Sequence, residues 1–365
     1  MAASADGLEG SVLERTIELA AVPAPTGLER DRADVVAGWW RWDGWADVAI
    51  DPIGNVRARV GDPRGPAVVL AAHLDTVFDE GQPHGARRVG DRLIGPSVGD
   101  DSVGVAALSA VGSLLAKAGM GALLVATVGE EGVGNLRGIC GLLDDPPDGG
   151  IRALLAVEGN YYGRVSTVGV GSTRWRIQLS GPGGHAWEAS EMPSAVHAVA
   201  RLTSALADVR HAHARTSVNV GRIAGGEAIN ARARSAWLEV DLRADEAIAL
   251  EVVEREARLA IERCIPNDLH VEVVEIGRRP AGSIDARHPL VRAAVDALRV
   301  AGSVPSMDAT STDANAAHAA GIPAIAVGVT SGSGEHTPDE WIAVPPIALG
   351  VTTLADTVIR FSETS

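Results

Sequence analysis

The feature that most constrains this chain is a set of short apolar runs without polar alternation: Val68 to Ala72, Leu123 to Val128, Ala153 to Val157 and Ala324 to Val327. Such runs, separated by helical stretches, are what strands buried on both faces of a parallel sheet look like. The helical stretches run from Leu8 to Leu19, halted by Pro23 and Pro25, then Leu28 to Trp42, Ser102 to Ala118, Pro289 to Val300 and Ile347 to Phe361. A chain of 365 residues, 46% hydrophobic and 22% charged, has length for about two domains and a large core.

From Ser172 the rhythm changes to alternation, as in Trp175 to Leu179 and Trp237 to Arg243, the mark of strands with one wet face. Between Ser172 and Ile276 the order reads strand, helix (Ser194 to Val209), strand (Thr216 to Ile223), strand (Ser235 to Arg243), helix (Glu246 to Cys264), strand (His270 to Ile276). That is the order of a ferredoxin-like unit. The expected fold is therefore α/β: a mostly parallel central sheet with flanking helices, residues 1–171 and 282–365, interrupted by an inserted α+β domain, residues 172–281.

The net charge of −15 and the lack of an arginine-dense stripe with interleaved aromatics speak against a nucleic-acid partner. Two cysteines, Cys140 and Cys264, in unlike contexts read as buried thiols in a reducing compartment. Met1 to Glu9 has two acids and no apolar core, and no run approaches the ~20 apolar residues of a membrane helix, so a cytoplasmic protein without membrane contact is expected.

In an open α/β sheet, ligands gather beyond the carboxyl ends of the strands. The residues delivered there are His73-Leu74-Asp75, then Gly99-Asp100-Asp101 before a helix, then Glu130-Glu131, Glu158 and, after a Gly/Ser-rich loop, His336. Each alone reads as a surface pair, a solvated turn or a helix cap. Five together on one rim form an acidic cluster that needs cations to stay ionised, and bound divalent metal is the natural compensation.

These residues carry a resemblance. Ala72-His73-Leu74-Asp75-Thr76-Val77, Gly99-Asp100-Asp101, Gly129-Glu130-Glu131-Gly132, Val157-Glu158-Gly159 and Glu335-His336-Thr337-Pro338-Asp339-Glu340 resemble the di-zinc peptidase and deacylase family. Its members include glutamate carboxypeptidase, peptidase T, aminoacylase, acetylornithine deacetylase and succinyl-diaminopimelate desuccinylase. Gly181-Pro182-Gly183-Gly184-His185, Gly225 to Asn230, Asp241-Leu242-Arg243 and Ser311 to Asn315 resemble further motifs of that family.

The resemblance implies that Asp100 bridges two metals, that His73 and Glu158 complete one site, and that Glu131 and His336 complete the other. Two imidazoles and three carboxylates suit Zn²⁺, with Mn²⁺ or Co²⁺ also acceptable. It makes Glu130 the general base toward a water shared by the metals, and Asp75 the acceptor of the other ring N–H of His73. The inserted domain would pair two subunits into a homodimer, His185 would stabilise the oxyanion, and Asn230 and Arg243 would hold a substrate carboxylate. The implied activity is hydrolysis of an amide or peptide bond in a small carboxylate-bearing substrate, of carboxypeptidase, dipeptidase or N-acyl amino acid deacylase type. Glu at 158 leans toward carboxypeptidases and deacylases.

Some positions depart from that pattern: Ser102-Val103 stand where many members have Lys, and Asn160-Tyr161-Tyr162 and Glu335 flank the implied ligands. The glycines of Gly132 to Gly138 are misplaced for a dinucleotide fingerprint. His197 reads as a core or interface residue, His84, His211, His213, His270, His288 and His318 show no partner in the pattern, and Trp39, Trp40, Trp42 and Trp45 read as packing. Two other functions remain open, hydrolytic deamination of a small amine and a catalytically silent binding protein of the same architecture.

Overall fold

The uninterrupted apolar runs become the centre of a sheet covered on both sides. The computed structural model describes residues 5–61, 65–210, 212 and 214–364, and these fall into two compact units, residues 1–169 with 283–365 and residues 170–282. His211, His213 and the first four residues lie outside the described residues.

The strands of the first unit are β1 (Ala46–Ile50), β2 (Val56–Val60), β3 (Ala67–His73), β4 (Ala122–Thr127), β5 (Ile151–Glu158), β6 (Arg164–Gly169), β7 (Ser306–Thr310) and β8 (Ala324–Gly328). They form a large, mostly parallel sheet in the order β1-β2-β4-β3-β5-β8-β6, with β7 also pairing β6. Its centre, β4-β3-β5-β8, is parallel, whereas β1, β2 and the β8–β6 pair are antiparallel. Around it lie helices α1 (Ala5–Ala20), α2 (Arg30–Trp42), α3 (Val103–Lys117), α4 (Arg137–Asp144), α5 (Pro289–Val300), α6 (Ala314–Ala319) and α7 (Ile347–Glu363).

Every residue of β3 is buried. Val68, Leu70 and Ala72 enter one core with residues of α1, α2, α3, α5 and α7, while Val69 and Ala71 enter a second with α4 and α6. The period-2 geometry of a strand divides one apolar run between two helical layers, and each large side chain so buried contributes about 1.5–3 kcal/mol of transfer free energy. The stretch Val98–Lys117 is long and apolar enough to cross a membrane by composition, but 78% of its apolar window is buried inside the protein.

A small sheet that the apolar runs do not announce joins Arg87–Val89, Arg92–Ile94, Gly332–Ser333 and Trp341–Ala343. Its pairing of Gly332 with Ile342 and of Ser333 with Trp341 closes the loop that carries His336.

The second unit is a four-stranded antiparallel sheet, ordered Thr216–Gly225, Ser235–Ala244, Gly171–Ser180, His270–Arg279. Helices Ala195–Ala207 and Ala247–Cys264 cover one face, where Trp175, Ile177, Leu179, Leu238, Val240 and Leu242 are buried against them. A short ribbon pairs Gly184–His185 with Ala231–Arg232. Some sequence expectations fail locally. Cys140 and Cys264 are only half-buried, and of the tryptophans Trp40 is buried but Trp42 is 89% exposed; His197 is exposed on its helix, which removes the core reading and leaves the interface one.

Candidate metal centre

Parallel pairing brings the carboxyl ends of β4, β3, β5 and β8 to one edge. His73 is the last residue of β3 and Glu158 the last of β5, Glu130 and Glu131 follow β4, and His336 follows β8 through the small-sheet loop. Asp100 sits in the segment Val98–Ser102 leading into α3, and the Asp100–Asp101 peptide is cis. His336 has φ +63°, a left-handed backbone that a non-glycine residue rarely takes outside a constrained loop.

The donor atoms converge in two sets that share one carboxylate. His73, Asp100 and Glu158 offer ligand atoms within 4.8 Å of one another, and so do Asp100, Glu131 and His336. The two oxygens of Asp100 face different rings: Oδ1 lies 2.8 Å from His73 Nε2 and Oδ2 lies 3.1 Å from His336 Nε2. Glu131 Oε1 is also 3.1 Å from His336 Nε2. Glu130 is buried beside them, forming a third group with His73 and Glu131.

The electrostatics require positive charge. Burial, then Asp101, pushes the Glu158 carboxyl well above the usual carboxylate range. Burial likewise raises Asp101, with Asp100 adding repulsion. Burial opposes ionisation of Asp100 too, but the ring N–H groups of His336 and His73 overcome it and hold that carboxyl well below its ordinary value. Hydrogen bonds to Asp100 and Glu131 push His336 up to about 10. Protons on two imidazoles thus stand where cations would, between carboxylates that could not otherwise share one edge. The residues fit a pair of divalent ions: two nitrogens and three carboxylates, one of them facing both ways.

Asp75 departs from its expected role. Its carboxylate is 3.7 Å from His73 Nδ1, beyond a hydrogen bond, and that nitrogen instead lies 3.0 Å from the Asp75 carbonyl. The carboxylate accepts the backbone N–H of Glu130 at 2.9 Å and of Glu131 at 2.8 Å, and the Thr26 hydroxyl at 2.8 Å. The tautomer of His73 is set by a main-chain carbonyl, and Asp75 holds the turn that carries Glu130 and Glu131.

Four supporting residues escaped the sequence reading in this role. Asp101 accepts the N–H of His73 at 3.1 Å and of Gly159 at 2.9 Å, tying β3 to β5. Its carboxylate occupies the space of the missing Gly104 side chain, where a Cβ would come within 2.0 Å of Oδ1. Glu340 is fully buried and accepts the N–H groups of Gly99 and Asp100, both at 2.7 Å, while burial and the Asp100 charge push it up to about 8. Glu29 accepts the Gly129 N–H at 3.1 Å and pairs with Arg137. Arg32, fully buried, donates to the carbonyls of Val22 and Leu74 and to the Ser97 hydroxyl, a cation behind the acidic cluster. Glu340 lay within a quoted motif and Asp101 beside a predicted ligand, which were the only signals available.

The substrate residues expected in the second unit divide into two places. His185 and Asn230 are both exposed and adjacent, since the Asn230 carbonyl accepts the Ala186 N–H at 2.8 Å and His185 pairs with Ala231. Arg243 lies near the other end of the strand that starts at Ser235, on the order of 25 Å along it at ~3.3 Å per residue. Asn230 precedes the start of that strand.

Residues 69–360 match the family described as peptidase family M20/M25/M40. Among solved structures, aminopeptidase PepT from Bacillus cereus ATCC 10987 is similar with TM-score 0.79 and 19% identity, over 97% of this chain and 99% of that one. A tripeptidase from Staphylococcus aureus subsp. aureus Mu50 gives TM-score 0.80 and 20% identity, over 97% and 99%. The Bacillus subtilis YXEP protein, described as a dinuclear metal binding peptidase from the M20 family, gives 0.71 and 15%, over 99% and 100%. No curated protein matches the chain.

Proposed function

Since the chain belongs to peptidase family M20/M25/M40 and is a metal-dependent hydrolase of peptide bonds, we propose that it cleaves short peptides or N-acyl amino acids bearing a free carboxylate, with Glu130 as general base. The observation that carries this reading is Asp100, whose two oxygens face His73 and His336 in two ligand sets completed by Glu158 and Glu131. Those five residues would hold two divalent ions, Zn²⁺ being the best match to an imidazole and carboxylate set. Bound there, the ions would polarise the scissile carbonyl and acidify a water.

The protein's own groups do the rest. Glu130 takes a proton from the water as its oxygen adds to the carbonyl carbon, then passes that proton to the departing nitrogen as the C–N bond breaks. Asp75 fixes Glu130 and Glu131 through their backbone N–H groups, so base and ligand move as one turn. His185 is read as a donor to the developing oxyanion, with Asn230 beside it, and Arg243 as a fork for a substrate carboxylate. A homodimer through the 170–282 unit and a reducing, cytoplasmic setting for the unpaired Cys140 and Cys264 complete the reading.

The test is Glu130→Gln, assayed on dipeptides, tripeptides and N-acyl amino acids with metal content measured. The variant should keep two ions per chain and lose at least ~100-fold in kcat, the usual contribution of a positioned proton shuttle. Substantial remaining activity at full metal occupancy rejects Glu130 as the base, and fewer than two ions in the supplemented parent protein rejects the two-ion centre.

A further inference from the structure

The turn that carries Glu130 and Glu131 is held by more than Asp75. Four successive backbone N–H groups, those of Val128, Gly129, Glu130 and Glu131, are each accepted by a side chain. Asp75 takes the last two, Glu29 at the start of α2 takes that of Gly129, and Asn55 Oδ1 takes that of Val128 at 3.1 Å. Asn55 stands in the turn between β1 and β2, 73 residues before Val128, and is fully buried. Backbone N–H groups beyond the end of a strand have no ladder partner, so a buried turn must find its acceptors elsewhere. Here they come from three separate parts of the fold.

Asn55 uses its whole amide. Oδ1 accepts from Val128, while Nδ2 donates to Asp51 Oδ2 and to the Gly138 carbonyl, both at 2.9 Å. Asp51 is fixed in its turn: its Oδ1 accepts the N–H groups of Ile53, Gly54 and Asn55, and Arg57 pairs with its Oδ2 at 2.7 Å. Gly138, in the first turn of α4, donates its N–H to the Val128 carbonyl at 2.7 Å. A Cβ at Gly138 would come within 2.3 Å of Asn55 Oδ1, so the bare backbone there is what lets the amide reach Val128. Asp in place of Asn55 would have no proton for Asp51 or Gly138. An alkyl side chain would leave three buried polar groups unpaired.

We propose that Asn55 is a positioning residue of the hydrolytic centre: it fixes Val128 at the entrance to the turn and so sets where Glu130 and Glu131 project. Asn55 belongs to neither candidate ligand set and acts through the two acids that follow Val128. Its effect on catalysis rests on the reading of Glu130 as general base, whereas its hold on the turn does not. Without the amide, Gly138 still donates to the Val128 carbonyl and Arg137 to that of Gly129, so the turn persists while its entrance loosens. A displacement of about 1 Å at a catalytic group is enough to cost about 100-fold in rate.

The experiment is a double-mutant cycle on the full-length, Zn²⁺-loaded protein, with Asn55→Ala made alone and together with Glu130→Gln, and kcat and KM measured on the best-hydrolysed short peptide. Asn55→Ala alone should lower kcat about 10-fold, in line with the loss of a partner that orients a reacting group, and leave KM within about 2-fold. Added to Glu130→Gln it should cost less than about 2-fold, because a residue that acts through the base has little left to misplace. In the metal-stripped protein, amide exchange should accelerate in a peptide covering residues 126–132 and hold its rate in peptides covering 68–72 and 153–157. Should Asn55→Ala fail to fold, Asn55→Ser carries the same measurements. Parent-like kcat in a folded variant, or the same loss with and without Glu130→Gln, overturns the catalytic effect. Unchanged exchange over 126–132, or equal acceleration in all three peptides, overturns the hold on the turn. Exchange is read without substrate or metal, so it still decides that hold if Glu130→Gln alone keeps its activity and the base reading falls.

Discussion

Asp75 belongs to neither candidate ligand set, yet its carboxylate accepts three hydrogen bonds, two of them from the backbone of Glu130 and Glu131. Removing an outer partner of this kind commonly costs 10–100-fold in metal affinity. Asp75→Ala should therefore weaken divalent-metal binding by that amount in chelator competition and lower kcat as Glu130 loses its anchor. Unchanged affinity would mean that the turn holds without the carboxylate. The types and order of His73, Asp100, Glu130, Glu131, Glu158 and His336 were readable in the sequence because His73, Glu130, Glu131 and Glu158 follow apolar runs, Asp100 precedes a helix, and His336 follows the last run through a Gly/Ser-rich loop. The contacts of Asp75 were not, since a His-x-Asp spacing permits the aspartate to meet the ring through its side chain or through its own carbonyl. Arg32, buried on α2 and bonded to groups as distant as Ser97, left no local sign at all. A lone arginine in a helix reads as a solvated residue until tertiary structure buries it.

At the scale of elements, the doubly buried strands were legible and the marginal ones were not. β3, β4, β5 and β8 are continuous apolar runs. By contrast β1, β2 and the small sheet have short, mixed patterns, such as the exposed Arg87–Val89, that periodicity cannot separate from loop. Helix α6 has six residues, too few to show a 3.6-residue repeat. That helix carries His318, which burial holds below the ordinary histidine value of 6.5. The sign follows from linkage: the unfolded chain binds a proton more readily than the folded one, so His318 favours folding fully above about pH 6.5 and less as pH falls through its folded-state value. Urea unfolding of the metal-stripped protein should lose more stability between pH 7.5 and 5.5 than His318→Gln loses. Equal losses would remove His318 from the acid response.

At the scale of the molecule, the candidate ligands all come from residues 73 to 336 of the first unit, and none from residues 170–282. Metal that binds only the folded state stabilises it by RT ln(1 + [L]/Kd), about 4 kcal/mol when free metal is a thousand times Kd. The gain belongs to the elements that present the ligands. The ends of β3, β4 and β5, the Val98–Ser102 segment and the His336 loop hold mutually repelling carboxylates together, and chelation exposes them to that repulsion. Amide hydrogen exchange reads such local stability directly. Chelator treatment should accelerate exchange in peptides covering residues 72–76, 98–104, 128–132, 157–160 and 333–340. Peptides from the core of the second unit, such as residues 173–179 and 237–242, should keep their rates, because Trp175, Ile177, Leu179, Leu238, Val240 and Leu242 draw their stability from a separate apolar cluster. An equal acceleration in both sets would mean that the two units unfold as a single cooperative body. No change in the first set would mean that the clustered acids do not bind a stabilising ion there.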